Sequence, residues 1–206
     1  LAKGQSQIGD LIRKHQIPED VVEAFLAALI ADTPPTKLEN KQELLAFCYG
    51  VAGTVGVMMC HVLGVKNHQA LYHSIDLGIA MQLTNIARDR AEDEDNNRYY
   101  IPPDMHQEDL VHMAATYYKS GLNGICYLPW SVRPSVMAAA LIYKEIGRKI
   151  LQNPEAAKTT RMVVPRGRKL ICALKGGIKS FSQHKSKKHD ARLHQKITNF
   201  PYTHGQ

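Results

Sequence analysis

Apolar residues recur at three- and four-residue intervals through most of the chain, which is the spacing of one face of an α-helix. No alternating strand pattern with hairpin turns occurs in the sequence, so the chain is predicted to be all-α. The pattern predicts helices over residues 5–15, 18–31, 44–63, 70–95, 107–120 and 135–151, and a shorter one over 163–179. We expect one helical domain over residues 1–180, followed by a basic, polar and disordered tail over residues 181–206.

The helix predicted over residues 70–95 changes character along its length. Its first part is apolar on nearly every side, as in a helix that is buried all round. The next stretch, "MQLTNIARDRAEDEDNNRYYIPPD", carries Gln82, Asn85, Asp89 and Asp93 at spacings of three, four and four. That spacing stacks the four side chains on one face of the helix. Amide and carboxylate groups in register on a buried helix indicate a function for that face.

Oxygen ligands of this kind suit a hard divalent cation such as Mg²⁺, which binds one or two carboxylates together with substrate phosphate oxygens. Asp89 and Asp93 can present carboxylates to the same ion or to neighbouring ions, and Asn85 can add a carbonyl oxygen. Arg88 and Arg98 flank the acids and are suited to hold phosphate oxygens. The alternative is a solvated helix end on which Asp89 pairs with neighbouring arginines. Spacing alone does not separate these two interpretations.

A second unusual helical segment, "CYGVAGTVGVMM", contains glycines within an apolar run. Gly53 and Gly56 each cost about 1 kcal/mol relative to alanine in a helix interior. Small residues there permit either the tight packing of another helix or the close approach of a long apolar ligand. Both alternatives stay open at this point.

Together, these two segments resemble the head-to-head prenyl synthases, the family of the phytoene, dehydrosqualene and squalene synthases. The stretches that carry the resemblance are "FCYGVAGTVGVMMC" and "QLTNIARDRAEDEDNNRYYIPPD", supported by "RKHQIPEDVVEAFLAALIADT" and "AAALIYKEI". The resemblance covers roughly residues 5–180. It implies an isoprenoid-synthase-like helical bundle around a central apolar cavity, in which Mg²⁺ bridges two prenyl diphosphates to Asp-rich motifs.

The resemblance also implies roles for individual residues. The implied metal ligands, which match the family's second Asp-rich motif, are Asn85, Asp89 and Asp93. The residues implied at the substrate or along the cavity are Gln82, Arg88, Arg98, Tyr49 and Gly53. The residues implied as catalytic are Asp89, Asp93 and Tyr143. The implied cofactor is Mg²⁺, with Mn²⁺ as an alternative, and NADPH is expected only for a squalene synthase.

The function that the resemblance implies is the condensation of two geranylgeranyl diphosphates to phytoene, in carotenoid biosynthesis. The near alternative is a squalene or dehydrosqualene synthase that uses farnesyl diphosphate. A third is a non-catalytic relative that acts as an assembly factor.

One departure from the family pattern lies in the first part of the chain. The family uses two Asp-rich motifs, whereas Asp10, Asp20, Asp32 and Asp76 each stand alone in residues 1–80. We therefore expect the chain to be the C-terminal portion of the family fold and to be poorly active by itself.

The formal net charge of +7 is distributed unevenly. Residues 1–160 carry −3 and residues 161–206 carry +10. Contact with an anionic membrane or plain solvation would explain the basic tail, and too few aromatic residues accompany it for a nucleic-acid partner to be expected. The tail histidines His184, His189 and His194 recur every five residues and share no helical face, so metal binding is not expected there. Four widely spaced cysteines suit reduced thiols and a cytoplasmic location, with the tail as a peripheral membrane contact.

Overall fold

The computed structural model describes residues 2–182 and 186–203, and within them it confirms the all-α prediction. The helices are α1 (Ala2–His15), α2 (Glu19–Ala31), α3 (Lys41–Cys48), α4 (Thr54–Val62), α5 (His68–Asp95), α6 (Gln107–Asn123), α7 (Arg133–Gln152), α8 (Pro154–Ala157) and α9 (Arg166–Ser182). A π-helical turn, Tyr49–Gly53, joins α3 to α4, and single 3₁₀ turns are formed by Gly124–Tyr127 and Ala191–His194. The short strands Thr36–Lys37 and Arg98–Tyr99 pair in parallel and were not predicted.

Two asparagines fix the starts of the helices that build the centre of the molecule. The side-chain oxygen of Asn40 accepts hydrogen bonds from the backbone N–H groups of Gln42 and Glu43, and so caps α3. Asn67 caps α5 in the same way by accepting from the N–H of Gln69. Such caps satisfy backbone donors that have no partner inside the helix.

Helix α5 is the central element, and it packs against α4, α6 and α7. Two glycines set how closely α4 and the π-helical turn approach it. A Cβ atom on Gly56 would lie 2.4 Å from the carbonyl oxygen of Ser74, and one on Gly78 would lie 2.3 Å from that of Ala52. Both distances are below van der Waals contact, so only glycine permits this packing. Close helix packing, one of the two alternatives for the glycine-rich segment, is therefore confirmed for Gly56.

The helical run Lys41–Val62 is long and apolar enough to cross a membrane by length and composition alone. In the fold, it contributes core residues that are almost inaccessible to solvent, including Leu44, Cys48 and Val57. Its place against α2 and α5 is that of a core helix in a globular domain.

The chain after α9 does not match its predicted disorder. Phe181 belongs to α9, and residues 186–203, which we call the C-terminal strap, lie against the helical bundle. Ile197 is only 1% exposed, and the hydroxyl of Tyr117 donates a hydrogen bond of 2.9 Å to the carbonyl oxygen of Leu193. The predicted disordered tail is therefore wrong for residues 186–203. His184, also predicted to lie in that tail, falls outside the described residues.

Candidate functional site

An apolar cavity of about 330 Å³ lies between α4, α5, α6 and α7. Its aliphatic wall is formed by Val51, Ala52, Val55, Met59, Leu63, Leu77, Met81, Ile125, Leu128 and Val136. The lining residues recur every four positions along the π-helical turn and α4, and every three or four positions along α5. This spacing puts them on one face of each segment, and the two faces lie opposite each other across the cavity. Gly56 and Gly78 also line the cavity, so the glycines that allow close helix packing border the apolar space as well.

The cavity becomes polar toward the C-terminal part of α5. Gln82 and Asn85 line it there, together with Tyr143 from α7. The amide nitrogen of Asn85 lies 3.4 Å from the side-chain oxygen of Gln82 and donates to it. The side-chain oxygen of Asn85 is buried and has no hydrogen-bond partner among the described residues. A buried carbonyl oxygen without a partner is costly, so this atom is available to a ligand.

One helical turn further along α5, two arginines surround Asp89. The Nε atom of Arg88 donates to Oδ1 of Asp89 over 2.8 Å, and a second nitrogen of the same guanidinium contacts Oδ2. Arg161, from the segment before α9, places its Nε atom 2.9 Å from Oδ1. The Arg88 guanidinium also lies 6.0 Å from the ring centroid of Tyr143, which is within the range of a cation–π contact. The sequence analysis identified Arg88 but missed Arg161, because no local pattern relates it to α5.

Asp93, another turn along, has its pKa raised to about 6. Partial burial is the main cause, and the negative charges of Asp89 and Glu92 add to it. The cation of Arg98 opposes this shift without cancelling it. The carboxylates at this end of α5 therefore repel one another, and a bound cation would relieve that repulsion.

Arg98 borders a small pocket beside Asp93 rather than the apolar cavity. Its Nε atom lies 3.8 Å from Oδ1 of Asp32 and has no hydrogen-bond partner among the described residues. The hydroxyl of Tyr100 donates to the same oxygen of Asp32 over 2.6 Å. The parallel pairing of the two short strands brings the segment after α2 to this end of α5. Asp32, which stands alone in the sequence, therefore belongs to the polar cluster around Asp93.

The predicted cavity positions of Tyr49 and Gly53 differ from their places in the structure. The side chain of Tyr49 is directed toward the C-terminal strap, where its hydroxyl donates a hydrogen bond of 2.7 Å to the carbonyl oxygen of Pro201. A Cβ atom on Gly53 would lie 3.1 Å from the Tyr49 ring, so this glycine makes room for the tyrosine. The π-helical turn thus presents Val51 and Ala52 to the cavity and Tyr49 to the strap.

A second polar cluster joins the strap to the middle of α5. The Nε2 atom of His189 lies 2.9 Å from Oδ2 of Asp76, and that of His194 lies 2.8 Å from Oδ1. Burial by itself would raise the pKa of Asp76, but the hydrogen bonds from the two imidazoles lower it below its ordinary value. We call these three residues the Asp76 clasp.

The geometry of the Asp76 clasp fits hydrogen bonds. Ligand atoms around a tetrahedral zinc ion would lie about 3.3 Å apart, given bonds of 2.0–2.1 Å. The N–O separations of 2.8 and 2.9 Å are instead those of imidazole N–H groups that donate to a carboxylate. The clasp therefore fastens the strap to α5.

Comparison with known proteins identifies the family. The sequence profile described as squalene/phytoene synthase matches residues 6–110. The 15-cis-phytoene synthase of Enterobacter agglomerans is 33% identical over an alignment of 159 positions, and the alignment covers 65% of this chain and 54% of that protein. The phytoene synthase of Cereibacter sphaeroides is 31% identical over an alignment of 184 positions, which covers 78% of this chain and 52% of that protein.

Two solved structures share the fold. A dehydrosqualene synthase in complex with ligand superposes with a TM-score of 0.72 at 23% identity, over 81% of this chain and 67% of that one. The squalene synthase HpnC from Alicyclobacillus acidocaldarius gives a TM-score of 0.62 at 16% identity, over 69% of this chain and 62% of that one. The chain spans about half the length of the curated relatives that it matches. The profile match, which covers half of the residues, shows that this chain belongs to the squalene/phytoene synthase family.

Proposed function

We propose that this chain carries part of the active site of an enzyme that condenses two prenyl diphosphates head to head, with the release of diphosphate. The observation that supports this most directly is the position of Asn85. Its buried oxygen, which has no hydrogen-bond partner in the part of the chain that the structure describes, lies where the apolar cavity meets the charged turn that holds Arg88 and Asp89. A prenyl diphosphate has the same division, with an apolar chain joined to a highly charged head.

The residues on this face of α5 fit the Mg²⁺ ion that the reaction implies. Asn85, Asp89 and Asp93 offer only oxygen donors, which hard divalent cations prefer. Two observations support a cation here: the side-chain oxygen of Asn85 has no hydrogen-bond partner among the described residues, and burial with the charges of Asp89 and Glu92 raises the pKa of Asp93. A bound cation would satisfy the oxygen and relieve the repulsion between the carboxylates. When bound, Mg²⁺ would supply charge stabilisation to the departing diphosphate. Mn²⁺ has the same ligand preference and is an alternative.

The chain's own side chains would act on the two ends of the substrate. Arg88 is held in place by Asp89 and is directed alongside Tyr143, so its guanidinium can donate hydrogen bonds to diphosphate oxygens at the cavity mouth. Gln82 can orient the head group from the cavity wall. The aliphatic wall would exclude water from the allylic cation that forms when the carbon–oxygen bond breaks.

Geranylgeranyl diphosphate is the proposed substrate and phytoene the proposed product, because the relatives with about 30% identity are named phytoene synthases. Farnesyl diphosphate, with dehydrosqualene or squalene as the product, is the alternative, and NADPH would be needed only for squalene.

Product analysis of a chimaera tests the proposal. This chain replaces the aligned residues of the Cereibacter sphaeroides relative, and the purified chimaera is given geranylgeranyl or farnesyl diphosphate with Mg²⁺. We expect phytoene by mass spectrometry, and a loss of at least about 100-fold for Asp89→Asn. Asp95→Asn, on an exposed position of the same helix end, is the matched control and should retain activity. A folded chimaera that converts neither substrate would contradict the proposal. A product from farnesyl diphosphate alone would show that the alternative substrate, and not geranylgeranyl diphosphate, is the correct one.

A non-catalytic role as an assembly factor is the second candidate, and one observation favours it. Asp89 already has two guanidinium partners, as a purely structural carboxylate would. Under that alternative, Asp89→Asn would lower the stability of the chain and leave Mg²⁺ binding unchanged, which calorimetry distinguishes from the proposed role.

A further inference from the structure

Helix α9 exposes a continuous apolar face. Leu170, Leu174, Ile178 and Phe181 follow one another at spacings of four, four and three, which places them in one row along the helix. Their exposed fractions are 62%, 61%, 75% and 58%. An apolar row of this kind marks an interaction surface rather than ordinary scattered exposure.

The orientation of α9 is fixed by the packing of its opposite face. Cys172, Gly176 and Ser180 are buried against α7, and a Cβ atom on Gly176 would lie 2.8 Å from the backbone of Ala138. Arg168 adds an ion pair of 2.9 Å with Glu145 of α7. The apolar row therefore cannot turn inward without separating the two helices.

Positive charge surrounds this apolar row. The charged residues of α9 are Arg166, Arg168, Lys169, Lys175 and Lys179, and the helix contains no acidic residue. Helix α2 also exposes apolar side chains, among them Leu26 and Ile30, but its charged residues are all acidic. A basic helix with an exposed apolar face has the composition of one that lies in the surface of an anionic bilayer.

The apolar row continues toward the cavity through Trp130. The ring of Phe181 stacks on that of Trp130 with centroids 6.1 Å apart, and Trp130 is 52% exposed. Two residues before it, Leu128 lines the apolar cavity. Tryptophan is enriched where proteins meet the interface of a bilayer. The surface therefore joins an amphipathic helix to the rim of the cavity.

We propose that the membrane-facing surface, defined as the apolar row of α9 with Trp130 and the basic residues beside it, binds an anionic lipid bilayer. The apolar side chains enter the interface while the lysines and arginines contact the lipid head groups. This places the membrane contact on α9 rather than on the terminal tail, because the strap is fastened to the bundle. The proposal does not rest on the proposed reaction, and its test needs no prenyl substrate.

Co-sedimentation with vesicles tests this surface. The 206-residue chain is mixed with vesicles of phosphatidylglycerol and phosphatidylcholine, or of phosphatidylcholine alone. We expect binding to the anionic vesicles that weakens at high salt, because screening reduces the attraction. Lys169→Glu/Lys175→Glu and Leu174→Glu/Ile178→Glu should each lower the partition constant about tenfold or more.

Two control variants match these changes elsewhere on the surface. Lys41→Glu/Lys66→Glu alters the net charge equally, and Leu26→Glu/Ile30→Glu places the same charges on the exposed apolar face of α2. Both should bind within about twofold of the unmodified chain. Equal binding to both vesicle types, or full binding by both α9 variants, would overturn the proposal. The proposal would also be overturned if the chain bound no vesicles and instead formed a dimer that Leu174→Glu/Ile178→Glu dissociates. That result would assign the face to a second copy of the chain.

Discussion

Arg161 lies on the segment that follows α8, and its Nε atom is 2.9 Å from Oδ1 of Asp89 on α5. Arg88 holds both oxygens of the same carboxylate from the neighbouring position on α5. The central carboxylate of the candidate metal site is therefore paired with two cations. Since Arg161 is about half exposed, its ion pair can exchange more easily than the one made by Arg88.

Arg161→Ala should strengthen the binding of Mg²⁺. An exposed ion pair contributes roughly 0.2–1 kcal/mol, so the dissociation constant should fall by about 1.4- to 5-fold when the competing cation is removed. Isothermal titration calorimetry with Mg²⁺ measures this. Arg166→Ala removes an exposed arginine of α9 and serves as the control. Weaker binding by Arg161→Ala would show that Arg161 supports the site instead of competing for it.

The close packing of α4 on α5 should be disrupted by the addition of a single methyl group at Gly56. Gly56→Ala places a Cβ atom 2.4 Å from the carbonyl oxygen of Ser74, and we expect it to lower the free energy of unfolding by about 1–3 kcal/mol. Gly177→Ala is the control, because among the described residues nothing outside its own stretch of helix lies within 4 Å of its Cβ position. It should raise the free energy of unfolding by about 0.5–1 kcal/mol through helix propensity. Urea denaturation measures both, and equal effects of the two substitutions would refute this packing.

Breaking the Asp76 clasp should release the C-terminal strap. Asp76→Asn leaves one of the two buried imidazoles without its acceptor, which we expect to cost about 3–5 kcal/mol of unfolding free energy. Hydrogen exchange should show faster amide exchange in residues 186–203. Asp190→Asn changes an exposed carboxylate of the strap, and the asparagine oxygen can still accept from the backbone N–H of Arg192, so exchange in the strap should stay as in the unmodified chain. Unchanged protection of the strap in Asp76→Asn would contradict its fastening by the clasp.

The carboxylate of Glu145, which pairs with Arg148 on α7 and with Arg168 on α9, should make stability depend on pH. Hydrogen bonds from Arg148, and then from Arg168, lower the pKa of Glu145 from 4.5 to about 2. Because the pKa is lower in the folded state, the stabilisation is present above pH 4.5 and is lost as the pH falls toward 2.

Glu145→Gln tests this pH dependence. At neutral pH, the substitution should cost about 1–2 kcal/mol, since both arginines are partly exposed. The difference from the unmodified chain should shrink below pH 4.5 and vanish only as the pH falls below about 2. Urea denaturation across that range measures it, and a difference that stays constant with pH would contradict the assignment.

The helices and the polar face of α5 could be predicted from the sequence because their signals are local. Apolar spacing predicted α5 to within two residues of its observed start, His68, and to its observed end, Asp95. The placement of Gln82, Asn85, Asp89 and Asp93 on one face follows from the same periodicity. Their roles in metal and substrate binding stay predictions that the proposed experiments test.

The strap could not be predicted because its order comes from distant partners. Its composition is polar, yet His189 and His194 are buried on Asp76, more than 110 residues earlier in the chain. One signal was present in the sequence. Asp76 stands in the apolar part of α5, and a buried carboxylate requires a partner. Arg161 and Asp32 were missed for the same reason, since only the tertiary fold brings them to the end of α5.

The most direct test of the proposed diphosphate site measures the affinity of the 206-residue chain for a non-reactive C20 prenyl thiodiphosphate. Isothermal titration calorimetry gives this affinity with and without Mg²⁺. We predict binding that requires Mg²⁺ and weakens about 10- to 100-fold in Asp89→Asn, while the exposed Asp95→Asn behaves as the unmodified chain does. Binding that is independent of Mg²⁺, or that is equal in Asp89→Asn and Asp95→Asn, would contradict a metal-bridged diphosphate on this face of α5.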